Sequence, residues 1–97
     1  MPVDARTRKA LNLKRLRLSP DLPVRRLEVQ DYTDSTGDAA LRILAVVDEA
    51  AEVNKNTGKA AIEFERSIMD SLRKHGITLF PYVFYAKPSD LEASNEE

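Results

Sequence analysis

Thr57 to about Lys74 is the segment with the length and periodicity of a long amphipathic helix, and one such helix can cover one face of a sheet. Ala61, Phe64, Ile68 and Leu72 centre on a single stripe, with Ile62 and Met69 on its shoulder, while Glu63, Arg66, Asp70, Arg73 and Lys74 lie opposite. Thr57 is placed to cap the first turn, and Gly76 stands where helices end in a left-handed residue. Glu65 falls at the edge of the stripe between Phe64 and Met69. There it is expected to titrate high through burial, or more simply to snorkel or pair with Arg42.

The segments flanking this helix read as strands. Val24 to Tyr32 and Ala39 to Asp48 enclose the turn Thr33-Asp34-Ser35-Thr36-Gly37, in which Gly37 can supply a positive φ and Asp34 can accept bonds from its own turn. In the first strand Leu27 and Val29 alternate with Arg26, Glu28 and Gln30, so one face is wet. The second has Leu41, Ile43, Ala45 and Val47 on one side and Leu44 and Val46 on the other, so most of it is expected to be covered twice. Ile77 to Ala86 is apolar on both faces, and Pro81 confines it to an edge or a bulge.

These elements predict an α+β fold with a three- or four-stranded sheet: hairpin, helix, then strand, split βαβ-like, with the helix on one face. Pairing the third strand antiparallel to the first would give the order 2-1-3. The chain divides into a basic arm at 1–23, a single α+β domain at 24–88 and an acidic tail at 89–97. At most one helical turn is expected in that tail, from the capping-box pattern Ser89-Asp90-Leu91-Glu92. In the arm, Leu11, Leu13, Leu16 and Leu18 share no helical face, so Ala10 to Leu18 fits a bulged strand as well as a helix.

Composition narrows the function classes. With 97 residues, 42% hydrophobic and 32% charged, the chain suits one folded, soluble domain. The absence of cysteine excludes disulfides, thiolate metal sites and thiol nucleophiles, and no apolar run approaches the roughly 18 residues of a membrane span, so a cytoplasmic location is expected. The three glycines, at 37, 58 and 76, form neither a P-loop nor a dinucleotide-binding turn. Asp31, Asp34 and Asp38 crowd the hairpin turn without the spacing of a calcium loop, and ordinary turn chemistry accounts for them. His75 is the one histidine and suits a helix C-terminus; Ser67 and Ser71 sit in no nucleophile elbow. No catalytic residue, metal site or cofactor is expected, and the chain does not read as an enzyme. Asn54 to Lys59, at the helix start with two lysines, is a weak anion site better explained as a solvated loop.

Two features point to partners. Leu44, Val46, Phe80, Tyr82 and Phe84 project from the sheet face opposite the helix, and apolar surface of that kind marks an interface, most simply with a second copy of the chain. The net charge of −1 conceals an arm in which Arg6, Arg8, Lys9, Lys14, Arg15, Arg17, Arg25 and Arg26 face only Asp4 and Asp21, a balance of +6 over residues 1 to 26. Such a cluster can contact nucleic-acid phosphates without reading sequence, or can pair with the acids of the body. The preferred expectation is a non-enzymatic interaction or assembly module, homodimeric or joined to a protein partner. The alternatives are nucleic-acid binding through the arm or an antitoxin-like regulatory component. The hairpin and the final strand are similar to those of a small bacterial domain, a likeness that carries no function with it.

Overall fold

A computed structural model describes residues 4–95. In chain order the elements are α1 (Ala5–Ala10), a single 3-10 turn (Leu13–Arg15), β1 (Val24–Thr33), β2 (Ala39–Val47), α2 (Thr57–Lys74), β3 (Phe80–Ala86) and α3 (Pro88–Asn95). This is a small α+β fold, with a three-stranded mixed sheet, a main helix and short helices. Hairpin, helix and third strand follow one another as the split βαβ-like reading expects.

The strand neighbours differ from expectation. The order is β1-β2-β3, with β3 running parallel to β2 rather than antiparallel to β1. The physical reason is already present in β2, whose side chains are apolar on both faces: such a strand belongs at the centre of a sheet, where both edges are paired and the side chains of neighbouring strands shield its own on either face. β1 carries Arg26, Glu28 and Gln30 on one side and tolerates an edge. β3 takes the other edge, where Pro81 has no ladder bond to lose. The hairpin turn forms as its residues predict, with Gly37 at φ 88° and Asp34 Oδ1 accepting from the Thr36 and Asp38 amides, each at 3.0 Å. A register shift between Val24 and Arg26 leaves Arg25 outside the ladder, and its Nε donates to Asp48 at 2.7 Å.

α2 lays Phe64, Ile68 and Leu72 on Leu41, Ile43 and Ala45 of β2, the centre of the core. Its buried sector is rotated from the expected stripe. Ser67 and Ser71 are buried and Ile62 is 56% exposed, because the arm occupies the flank of the helix on the serine side. The Ser71 hydroxyl donates to the Ala10 carbonyl at 2.5 Å, and Ser67 Oγ accepts from the Arg17 amide at 3.3 Å. Ala10, Leu11, Leu16 and Leu22 thereby join the same core as α2 and β2. The arm is a short helix and a turn rather than a bulged strand, and it packs on α2 rather than on the far side of the sheet.

The start of α2 and the length of the tail helix also depart from expectation. Thr57 is the first residue of α2 rather than its cap; Asn56 holds the cap position, and the Thr57 hydroxyl accepts from the Asn54 amide at 2.9 Å. At the C-terminus, Gly76 takes φ 74° and the Ile77 amide returns to the Leu72 carbonyl at 2.9 Å, closing the helix as its position predicts. The tail forms the two-turn helix α3 instead of a single turn. Pro88 is preset for a first helical position, Asp90 accepts from the Lys87 amide at 3.0 Å, and Glu49, from the distant loop after β2, accepts from both the amide and the hydroxyl of Ser89.

If the arm is core rather than appendage, Leu16→Ala costs about 2–4 kcal/mol, whereas Ile62→Ala stays within about 0.5 kcal/mol. Urea unfolding of the two variants checks this; equal effects would contradict the packing of the arm on α2.

Candidate functional site

The register places the side chains of the sheet's outer face in three rows. β1 gives Arg26, Glu28, Gln30 and Tyr32; β2 gives Val46, Leu44, Arg42 and Ala40; β3 gives Ala86, Phe84, Tyr82 and Phe80. Leu44, Val46, Phe80, Tyr82 and Phe84 therefore share a face, as period-2 alternation predicts. They are not equally available. Val46 is fully buried, beside Ala86 at the end of the face where the chain leaves for α3, and Leu44 is half-buried. Phe80 is 52% exposed, Phe84 42% and Tyr32 38%.

Phe80, Tyr82 and Tyr32 form a connected aromatic strip, which Phe84 extends along the same row of β3. Tyr82 meets Phe80 edge-on, with centroids 4.9 Å apart, and meets Tyr32 at 5.5 Å across the sheet. Arg42 stacks its guanidinium over the Phe84 ring, 5.1 Å from the centroid. The face carries one ion pair, Arg26 bonded to Glu28 at 3.0 Å, and one further cation, Arg42. Tyr32 and Arg42 belong to the strip although their neighbours in sequence are polar. Their even-numbered positions carry the signal, but only once the register across β2 is known.

Glu65 pairs differently from expectation. Arg42 lies on the outer face, out of its reach, and Glu65 instead accepts a 2.7 Å bond from the Tyr85 hydroxyl on the inner side of β3. Burial, with the neighbouring carboxylate adding to it, holds the Tyr85 phenol above its ordinary value. His75 does occupy the end of α2, with Nδ1 donating to the Ser71 carbonyl at 2.8 Å. The segment at the start of α2 is no anion cradle, since Asn54 bonds to Asp21 and both Asp21 and Glu63 line the small cavity beside Lys59.

The eight basic residues of the arm divide into two sets. Arg17 meets Asp70 at 3.2 Å, Arg25 meets Asp48, Arg26 meets Glu28, and Arg6 comes within 3.9 Å of Asp4. Arg8, Lys9, Lys14 and Arg15 are exposed and make no ion pair among the described residues. Arg25 and Arg26 begin β1, away from the others, so the cationic surface is carried by α1 and the turn that follows it. Lys74 and His75, which the sequence reading places at the end of the helix without joining them to the arm, adjoin it from the end of α2. They line a cleft of about 330 Å³ with Arg15 and Arg17.

The turn aspartates act as turn chemistry. Asp34 takes the hydroxyl of Thr36 at 2.6 Å and the Tyr82 hydroxyl at 3.2 Å besides its two amides. Among the described residues no group of three or more acidic or histidine side chains is disposed to hold a metal ion. None of the helices among the described residues is long and apolar enough to cross a membrane.

These bonds, the Thr36 hydroxyl first, hold the Asp34 carboxyl below its ordinary 3.8. A depressed folded value means that Asp34 contributes stability above about pH 3.8, which is lost as pH falls through the folded value. Asp34→Asn removes that contribution, so the variant gains less stability than the parent between pH 3 and 5, roughly the span of a carboxylate titration. Thermal melts across this range check it; identical pH profiles would contradict it.

Comparison with known proteins adds no relative: no family model matches the chain, and neither curated proteins nor solved structures show a significant match.

Proposed function

We propose that this chain is a non-enzymatic assembly module that pairs with a second copy of itself through the outer face of the sheet, centred on β3. The observation that carries the reading is the aromatic strip, with Phe80 and Phe84 about half exposed on a face that α2 and the arm leave uncovered. A large ring left in water forgoes roughly 1.5–3 kcal/mol that burial would recover, and several on one face favour association.

Self-pairing is favoured over other partners by the layout of the face. Its charged side chains sum to a single positive charge, because Arg26 is bonded to Glu28 and Arg42 alone is left over, so two copies meet with little like-charge repulsion. A two-fold axis over β3 would bring the aromatic rows of both copies together at the centre and leave Arg26, Glu28 and Gln30 at the rim, the usual apolar core and polar border of an interface. The edge of β3 away from β2 lies beside the same strip and offers backbone groups for antiparallel pairing with its own copy.

Light scattering should return twice the chain mass of 10.9 kDa and the same value in high salt, because an apolar contact is not screened. Phe80→Glu combined with Phe84→Glu should give the single-chain mass with an unchanged circular dichroism spectrum. A parent protein that stays at the single-chain mass at every concentration would refute self-pairing, and so would a dimer indifferent to the double variant.

A further inference from the structure

The second surface of the molecule has the opposite character and lies apart from the sheet's outer face. Where the arm meets the last turns of α2, a cleft of about 330 Å³ opens, lined by Arg15 and Arg17 from the arm and by Lys74, His75 and Asp70 from the helix. The buried serine bonds that dock the arm also set this cleft, since Ser71 holds Ala10 and Ser67 holds the Arg17 amide. Arg6 joins from α1: its guanidinium comes to 3.8 Å from the point where a side chain on Gly76 would begin.

Charge in the cleft is uncompensated. Asp70 is the one acid lining it and is bonded to Arg17, while Arg15 and Lys74 have no ion pair among the described residues. The negative end of the α2 dipole opposes an anion here. It amounts to about half a charge, and it is blunted by the His75, Gly76 and Ile77 amides, which already bond the last carbonyls. Two free cations outweigh it. Beyond the cleft the surplus continues along the arm through Lys14, Arg8 and Lys9, more positive charge than one small anion can use.

We infer that this cleft and the exposed side of the arm bind the phosphate backbone of a nucleic acid. Clustered, unpaired Arg and Lys supply what phosphate contact requires. His75 is the one ring lining the cleft, its Nδ1 held by the Ser71 carbonyl, and no Phe, Tyr or Trp lines it, so binding is to the backbone and indifferent to sequence. The outer face, whose one surplus cation, Arg42, lies over Phe84, is not part of this contact. The sequence motifs of base-reading modules are absent, in keeping with the same mode.

The test is fluorescence anisotropy of the full chain with a labelled DNA duplex of random sequence. With about four phosphates engaged, affinity falls roughly 100-fold between about 50 and 200 mM salt. Arg15→Ala with Lys74→Ala lowers the slope of log affinity against log salt by about two. Lys55→Ala with Lys59→Ala, near the other end of α2, leaves affinity and slope unchanged. The four side chains are exposed, so both double variants should keep the parent's circular dichroism spectrum and its solution mass, separating this contact from self-pairing. Absence of binding at the lower salt, equal losses in the two double variants, displacement of the duplex by inorganic phosphate at matched ionic strength, or equal competition by poly-glutamate would each overturn the assignment.

Discussion

A helix of 18 residues laid on a three-stranded sheet screens one of its two faces, and the rest of this structure follows from how that limited cover is distributed. The arm could have covered the other face. It lies instead along α2, held by Ser71 on Ala10 and Ser67 on the Arg17 amide, and adds Leu11, Leu16 and Leu22 to a core that already contains Phe64, Ile68 and Leu72. The gain is a thicker core on one side. The consequence on the other is that Phe80, Phe84 and Tyr32 remain in water.

The same docking separates two kinds of surface. Around the arm and the end of α2, cations outnumber acids, and several of them have no ion pair among the described residues. Across the outer sheet face, Arg26 is bonded to Glu28 and Arg42 lies over Phe84, so little net charge remains and aromatic area dominates. An apolar surface of low net charge and a cationic one call for different partners, one of them stable to salt and the other sensitive to it. The arm's charge is thus not simply neutralised by the acids of the body: Arg17 and Arg25 pair with Asp70 and Asp48, while Lys14 and Arg15 do not.

Much of this was legible in the residues because it depends on local periodicity. The hairpin turn, the span of α2, the left-handed Gly76 and the shared face of Leu44, Phe80, Tyr82 and Phe84 all follow from alternation or from single-residue backbone preferences. What was not legible depends on contacts distant in sequence. The capping of α3 by Glu49, the bond from Tyr85 to Glu65 and the burial of Ser67 and Ser71 join residues that no spacing connects. The strand order is an intermediate case. The doubly apolar β2 already marks an internal strand, and weighing that pattern above the antiparallel preference of a split βαβ unit would have placed β3 beside it.

Hydroxyl-radical footprinting across a range of protein concentrations tests most directly whether the uncovered face closes on a second copy. Phe80, Phe84 and Tyr32 should be oxidised readily in dilute solution and become protected together as concentration rises, while Tyr85, on the inner side of β3, keeps a constant rate. Rates for the three outer rings that do not change with concentration would contradict self-pairing, and rings protected even at the highest dilution would contradict an outer face left open by the fold.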